Sequence, residues 1–457
     1  MNARMSLIYR IWWYALPIKL LLAVLIPLSN DEAYYWVWSQ HLQLSYFDHP
    51  PFIAWLFWLG QPLEGLLSAP RIPGVLLGHA TLLLWIEILK PSLNEKQLFW
   101  WLVIMLVSPL MGLGSLMMTP DLPLIFWWSA ALLLFLRACR NPQPHRLFYL
   151  GAALGMGFCS KYHVVLFFPA ALLSLWSTRR LRLLTPLAFA SVSAGFLLAS
   201  TPVWLWNLQN DFISFTFQLN HGLGAESWNP MWTVEYLAGQ VLLLLPVVVY
   251  YALQRKPPSD MTSTLRWFAW LPLAFFALTS FKGRVEANWT MVAYPSVLAL
   301  AVQYRADLTW IRRAFQTFAV ATAVVLVCIA AYPMMPDTAA FTKLKELYKY
   351  QDMADEVRQV DEVYTTSYQT AAQLSYLTGR PIHKLSGVGR TDFYDFLPEA
   401  NPLTDRYHVV IRNDRDFSEA AQRSGFRITN RRALSPGFDL AEYERTRVAG
   451  AEPRAIH

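Results

Sequence analysis

Between residues 9 and 333 the chain passes through about eleven apolar stretches, near 9–28, 71–90, 97–117, 121–138, 147–160, 162–177, 184–205, 233–253, 266–281, 289–304 and 314–333. A helix needs roughly 20 apolar residues to cross about 30 Å of hydrocarbon, so the pattern predicts an α-helical polytopic membrane protein. At 55% hydrophobic residues over 457 positions, the chain is too apolar for a soluble multidomain protein. A formal charge of +7 would suit nucleic acid, but no basic stripe or nucleic-acid motif accompanies it. Topology accounts for the charge instead. With the N-terminus inside, alternate loops hold Lys90 and Lys96; Arg137, Arg140 and Arg146; Arg179, Arg180 and Arg182; Arg255, Lys256 and Arg266; and Arg305, Arg312 and Arg313. The positive-inside rule makes that side the cytoplasm, in a bacterial inner membrane. Arg4 and Arg10 precede the first apolar run, but no small-residue cleavage site follows it and Lys19 interrupts it, so it reads as a retained span. The cysteines, Cys139, Cys159 and Cys328, all lie in apolar stretches and offer neither a disulfide framework nor a zinc site.

Within residues 147–177 the run Ser160-Lys161-Tyr162-His163 interrupts the apolar pattern. Counting loops by parity makes this a hairpin of two short helices, since one long span would put Arg179, Arg180 and Arg182 outside. The first arm extends only about 21 Å at ~1.5 Å per residue, which leaves Lys161 below the outer surface. An ammonium at that depth costs at least ~2.5 kcal/mol unless it is paired or hydrated. A functional lysine is therefore favoured over one that snorkels to the headgroups.

The first outer loop, about 29–70, is too long for a simple connector. Tyr34, Tyr35, Trp36 and Trp38 suit the headgroup level, which predicts interfacial helices from Asp31 to about Leu44 and from Pro50 to Leu67. Ser29 with Glu32 fits a capping box, Asp48 before two prolines fits an N-cap, and Asp121 in Thr119-Pro120-Asp121-Leu122-Pro123 fits another. Caps explain each acid singly. They do not explain why Asp31, Glu32, Asp48, His49 and Asp121 gather on one face, with Lys161 and His163 at nearby depth. The set as a whole reads as a site.

Two later outer segments add His221 and Glu226, and then Lys282, Arg284 and Glu286. Lys282 and Arg284 are basic residues on the outer side, against the trend. Their structural reading is a salt bridge with Glu286 at a glycine turn, and their functional reading is an anion clamp for a phosphate presented from the outer leaflet. Carboxylates beside such a clamp at a lipid–water boundary suit sugar transfer from a lipid phosphate to an acceptor hydroxyl. A carboxylate can take the hydroxyl proton, while cations stabilise the charge growing on the leaving phosphate. A single displacement of this kind inverts the anomeric centre.

Several motifs, in order along the membrane part, resemble the GT-C membrane glycosyltransferases, in the branch holding the protein O-mannosyltransferases and the lipid A aminoarabinose and galacturonic acid transferases. Asp31-Glu32 is similar to that family's acidic pair after the first span, and Tyr46-Phe47-Asp48-His49-Pro50 resembles an element carrying Glu-Lys where this chain has Asp-His. Gly155-Met156-Gly157-Phe158-Cys159-Ser160-Lys161 resembles a Gly-Met-Gly-Phe-x-Thr-Lys run, and Ser280-Phe281-Lys282-Gly283-Arg284 a Lys-Gly-Lys element. The resemblance implies Asp31 as catalytic base with Glu32 beside it, Asp48 and Asp121 shaping the site, and Lys161, Lys282 and Arg284 on the donor phosphate. It also places His221 where a zinc-binding histidine occurs in the aminoarabinose branch. The single-histidine surroundings argue for no cofactor, with a divalent ion as an option. The partners it implies are a polyprenyl-phosphate sugar, a glycolipid, glycan or protein acceptor, and membrane lipids.

From about residue 334 the composition turns charged and mixed. Strands at 361–368 and 407–412 and helices at 370–377 and 417–424 predict a small α/β domain, periplasmic by parity, over residues 334–457. Gly387-Val388-Gly389 reads as a loop and not a phosphate cradle. The rival function is a transporter or flippase of lipid-linked sugars, whose ionisable residues belong near the bilayer midplane with repeat symmetry. Here they lie mostly in outer loops, and no repeat is evident.

Overall fold

The computed structural model describes residues 3–224, 227–254, 259–304, 309–332, 347–398, 402, 404–412, 426–435 and 437–445. The chain divides into two compact units, one of Met1–Ile26 with Gln43–Cys328 and one of Pro27–Leu42 with Ile329–His457.

The first unit is helical: α1 (Ala3–Leu25), α3 (Phe52–Gly60), α4 (Ile72–Leu89), α5 (Glu95–Val107), α6 (Asp121–Arg140), α7 (Pro144–Ser160), α8 (Phe167–Ser177), α9 (Pro186–Gln209), α10 (Ile213–Leu223), α11 (Pro230–Leu244), α12 (Pro246–Leu253), α13 (Asp260–Thr279), α14 (Tyr294–Gln303) and most of α15 (Thr309–Ala331). The second unit opens with α2 (Asn30–Gln40). Several helices begin on a proline, whose missing N–H and fixed φ suit the first turn. Among the described residues five helical segments are long and apolar enough to cross a bilayer, or up to seven if two bent pairs each count once. This is a multi-pass membrane protein. One bent pair turns by 68° at Val107–Pro109, where a π-helical turn at Pro109–Leu113 follows α5, and the other turns by 86° at Leu245 between α11 and α12. Lys19 does not break α1; its ammonium is buried and donates to Ser115 Oγ at 2.8 Å.

Small residues set the closest helix contact. A Cβ on Gly151 of α7 would lie 2.0 Å from the Val192 carbonyl oxygen of α9, and one on Gly195 of α9 would lie 2.0 Å from that of Phe148. Backbones this close exclude any side chain, which is the small-xxx-small solution for packing helices in lipid.

The second unit is built on a sheet of order β2-β1-β3-β5-β4, from Val363–Thr365 (β1), His383–Lys384 (β2), Arg406–Arg412 (β3), Phe426–Ser435 (β4) and Phe438–Arg445 (β5). β1 pairs in parallel with β2 and β3, and β5 pairs antiparallel with β3 and β4. Alternation sends Val363, Val410 and Leu440 into one apolar cluster with Met353 and Leu374, and Tyr364, Val409 and Ala441 into another with Tyr407 and Tyr443. Ser367 caps the helix Tyr368–Thr378, which ends on Gly379 at φ 69°.

The helix expected at 417–424 lies outside the described residues. The β4–β5 hairpin is an addition to the sequence reading, and the strand expected at 361–368 shrinks to Val363–Thr365 because Ser367 starts a helix. The interfacial placement of the first-loop aromatics is corrected: α2 packs within the second unit. Tyr34 lies 4.5 Å from Tyr368 between ring centroids and its hydroxyl accepts from the Phe393 N–H at 2.7 Å, Trp36 meets Tyr376, and Trp38 meets Phe393. Tyrosine and tryptophan suit such a site as well as a headgroup layer, since each buries a large ring and keeps a polar tip.

Candidate active site

In the first unit the unusual residues converge where α7 ends. α7 stops at Ser160, and Lys161 is extended (φ −162°, ψ 138°) before a 3-10 turn at Tyr162–Leu166 leads into α8. The break is held by packing: a Cβ on Gly155 would sit 2.5 Å from the Phe196 carbonyl oxygen, and one on Gly157 would sit 2.7 Å from Val164 Cγ2. The glycines of the Gly-Met-Gly run thus seat α7 on α9 and the turn on α7, and that fixes Lys161.

Lys161 Nζ donates to Asp121 Oδ1 at 2.8 Å, with both side chains nearly fully buried. Asn288 Nδ2 donates to the other oxygen of Asp121 at 2.7 Å. Lys161 also lies 5.8 Å from the ring centroid of Trp289, which packs with His163 at 5.2 Å. Asp121 is the first residue of α6 but makes no capping bond; its carboxylate serves Lys161 and Asn288, so the cap reading fails there. The snorkelling reading of Lys161 fails too. Asp48 is buried and does not cap α3, whose N-cap is Pro51, while its backbone carbonyl accepts from Gln218 of α10. His49 and Lys161 both act electrostatically on His163, which puts the three side chains in one neighbourhood.

Lys282, Arg284 and Glu286 are exposed on the turn after α13. The salt-bridge alternative had the wrong partner: Arg284 Nε pairs at 3.3 Å with Glu235 Oε2 of α11. Both partners are substantially exposed, so the pair adds little stability. His221 lies in α10 with its side chain outside the described residues, and Glu226 lies outside them altogether. Among the described residues no three His, Cys, Asp or Glu side chains gather as a metal site.

Sequence reasoning missed Asn288 and Gln218. Asn288 stood beside the scrutinised Glu286, but only the fold shows that a 3-10 turn at Ala287–Ala293 carries it to Asp121.

Asp31 and Glu32 belong to the second unit. Glu32 completes the capping box of α2: Ser29 Oγ accepts from its N–H at 3.3 Å, and its carboxylate accepts from the N–H and hydroxyl of Ser29 at 3.1 and 3.0 Å. The cap reading therefore holds for Glu32. Asp31, in the same first turn, is exposed.

Residues 48–206, which carry Asp48, Asp121, Lys161 and His163, match the family described as dolichyl-phosphate-mannose-protein mannosyltransferase. A crystal structure of ArnT from Cupriavidus metallidurans in the apo state superposes with a TM-score of 0.70 at 15% identity, covering 99% of this chain and 100% of that one. The chain has the fold of that structure. A second ArnT crystal structure from that organism, bound to undecaprenyl phosphate, superposes at a TM-score of 0.63 with 14% identity, covering 98% of this chain and 99% of that one. In sequence, the chain is 25% identical over 285 residues to the lipid A galacturonosyltransferase RgtD of Rhizobium johnstonii, covering 60% of this chain and 59% of that protein. It is 26% identical over 320 residues to the undecaprenyl phosphate-alpha-4-amino-4-deoxy-L-arabinose arabinosyl transferase of Pseudomonas savastanoi pv. phaseolicola, covering 62% and 59%. The chain thus spans a little under three fifths of each of these relatives' length.

Proposed function

We propose that the protein transfers a sugar from a polyprenyl-phosphate-linked donor to a hydroxyl of an envelope glycolipid, at the periplasmic face of a bacterial inner membrane. The buried Lys161–Asp121–Asn288 cluster carries the reading. A cation paid for by an acid and an amide, in the stretch that matches a glycosyltransferase family, suits an anion-handling site better than a structural bridge. One of the three ammonium donors of Lys161 goes to Asp121, and the others suit phosphate oxygens. The acceptor class follows the relatives, whose names specify lipid A or an undecaprenyl-phosphate sugar.

In the proposed reaction Asp31 takes the proton of the attacking hydroxyl as the new bond forms at the anomeric carbon. The bond to the lipid phosphate breaks on the opposite face, so the configuration inverts. Lys161, Lys282 and Arg284 stabilise the charge that grows on the phosphate. Asp121 orients Lys161, Glu32 orders the turn that presents Asp31, and His49, His163 and Asp48 line the site. With lysine and arginine supplying the positive charge, the reaction needs no divalent ion.

The deciding experiment replaces Asp31 by Asn and measures transfer of labelled sugar from a polyprenyl-phosphate donor. Asp31 is exposed, so the variant inserts and folds; transfer falls by the 100-fold or more (on the order of 10²–10⁴) that general-base catalysis contributes. Full retention of transfer overturns the base assignment.

A further inference from the structure

The second unit holds a cavity of about 320 Å³ that the proposed transfer step leaves unused. One wall is the start of the helix Tyr368–Thr378, with Thr366, Tyr368 and Gln369, and the other is the turn after β2, with Lys384, Arg390 and Asp392. The turn is rigid for a stated reason. Buried Lys384 donates to Asp395 at 2.7 Å and to the Arg390 carbonyl oxygen at 3.0 Å and is ion-paired with Asp392 at 2.9 Å, so its ammonium holds the loop. Asp395 also accepts from the Gly387 N–H at 3.0 Å, and Gly387 and Gly389 take positive φ of 71° and 75°, which the closure of this loop requires. The wall is therefore set before any ligand arrives, which lowers the ordering cost of binding.

The lining selects a ligand class. Thr366, Gln369 and Asp392 mix donors and acceptors, which suits hydroxyl groups because each hydroxyl is both. The charge of Lys384 is balanced by two carboxylates, while the Arg390 guanidinium is held 4.8 Å from the Tyr368 ring centroid, where it adds one fork-shaped anion contact. The volume lies at the small end of the ~300–1,000 Å³ typical of small-molecule sites, enough for a sugar unit with its substituent and not for an extended chain. Tyr368 also touches Tyr34, which lies one helical turn after Asp31 on the same face of α2.

We propose that this cavity binds a sugar unit carrying one anionic substituent, and that this unit is part of the acceptor. The second half of that statement rests on the transfer reading above; the first does not.

The test is saturation-transfer NMR on the full-length protein in lipid nanodiscs, with glucose 1-phosphate and glucuronate as probes. Glucose and inorganic phosphate serve as controls, each lacking one half of the proposed ligand. Both anionic sugars bind and both controls bind far more weakly. Exposed Arg390 and half-buried Gln369 are replaceable without unfolding, and Arg390→Gln weakens both anionic sugars roughly tenfold, the worth of a charge-assisted hydrogen bond. Gln369→Ala weakens them less, and Asp31→Asn leaves binding intact. In the transfer assay Arg390→Gln raises KM for the acceptor without changing KM for the donor. Failure of the anionic sugars to bind, inorganic phosphate binding equally well, or indifference to both cavity variants each overturns the cavity proposal. Binding that persists while Arg390→Gln leaves the acceptor KM unmoved overturns the acceptor assignment, whereas loss of the base role shows only as transfer surviving Asp31→Asn.

Discussion

Lys161 and Asp121 form a buried ion pair at 2.8 Å across forty residues of sequence, and Asn288 closes the remaining side of the carboxylate. Deleting the charge on one side alone leaves the other stranded in a poorly solvating environment. Lys161→Met is expected to destabilise the protein by ~3–5 kcal/mol, whereas Lys161→Met with Asp121→Asn regains much of that because no lone charge is left. Thermal unfolding in detergent reads the stability and the transfer assay reads the function. Recovery of transfer by the double variant would show the lysine to be structural only.

The α7–α9 contact gives a second prediction. Gly151→Ala places a methyl group 2.0 Å from a backbone oxygen, so the helices must separate; folded yield drops and Lys161 is displaced. Gly114→Ala, whose nearest neighbour would lie 3.6 Å away, is tolerated. Size-exclusion profiles of the two variants make the comparison, and equal behaviour would refute the packing argument.

The Arg284–Glu235 pair is exposed on both sides. Arg284→Gln is therefore expected to change stability by less than ~1 kcal/mol while raising KM for the lipid-linked donor. A shift in melting temperature with no kinetic change would reverse the assignment from phosphate contact to surface bridge.

Asp392 supplies a pH prediction. Burial outweighs the pull of Lys384 and moves its acid from 3.8 up to about 6. A carboxyl raised in this way binds its proton more tightly folded than unfolded. Its contribution therefore favours folding below 3.8 and is lost as the pH rises through about 6. Asp392→Asn is expected to flatten the decline in stability between those values. Melting curves of the two proteins over that range decide it, and identical slopes would exclude Asp392 as the source.

What was legible in the sequence follows from the range of the forces involved. Apolar length and arginine placement are local signals, and they located helical stretches such as α4, α6 and α9 to within a few residues. The same logic singled out Lys161, because a lysine at membrane depth stands out in one dimension. Asp121 was placed on the same face, but its pairing with Lys161 and with Asn288 did not follow, since those partners lie 40 and 167 residues from it. The aromatics of α2 misled because an amphipathic ring suits a headgroup layer and a protein crevice equally. The β4–β5 hairpin was missed because β4, with the run Arg431-Arg432, keeps most of its side chains exposed and shows little alternation, although the Pro436-Gly437 pair after it was an available turn signal.

The seating of α2 also bears on biogenesis. Gln373 donates to the Leu28 carbonyl oxygen across 345 positions, so this short helix leaves the ribosome long before the surface that will cover it has been made. Until synthesis nears completion its tyrosines and tryptophans need a provisional host, and the lipid boundary suits them. A nascent chain halted before residue 363 would carry every long apolar helix among the described residues yet lack the helix Tyr368–Thr378 on which α2 packs, leaving the turn that carries Asp31 without its cover.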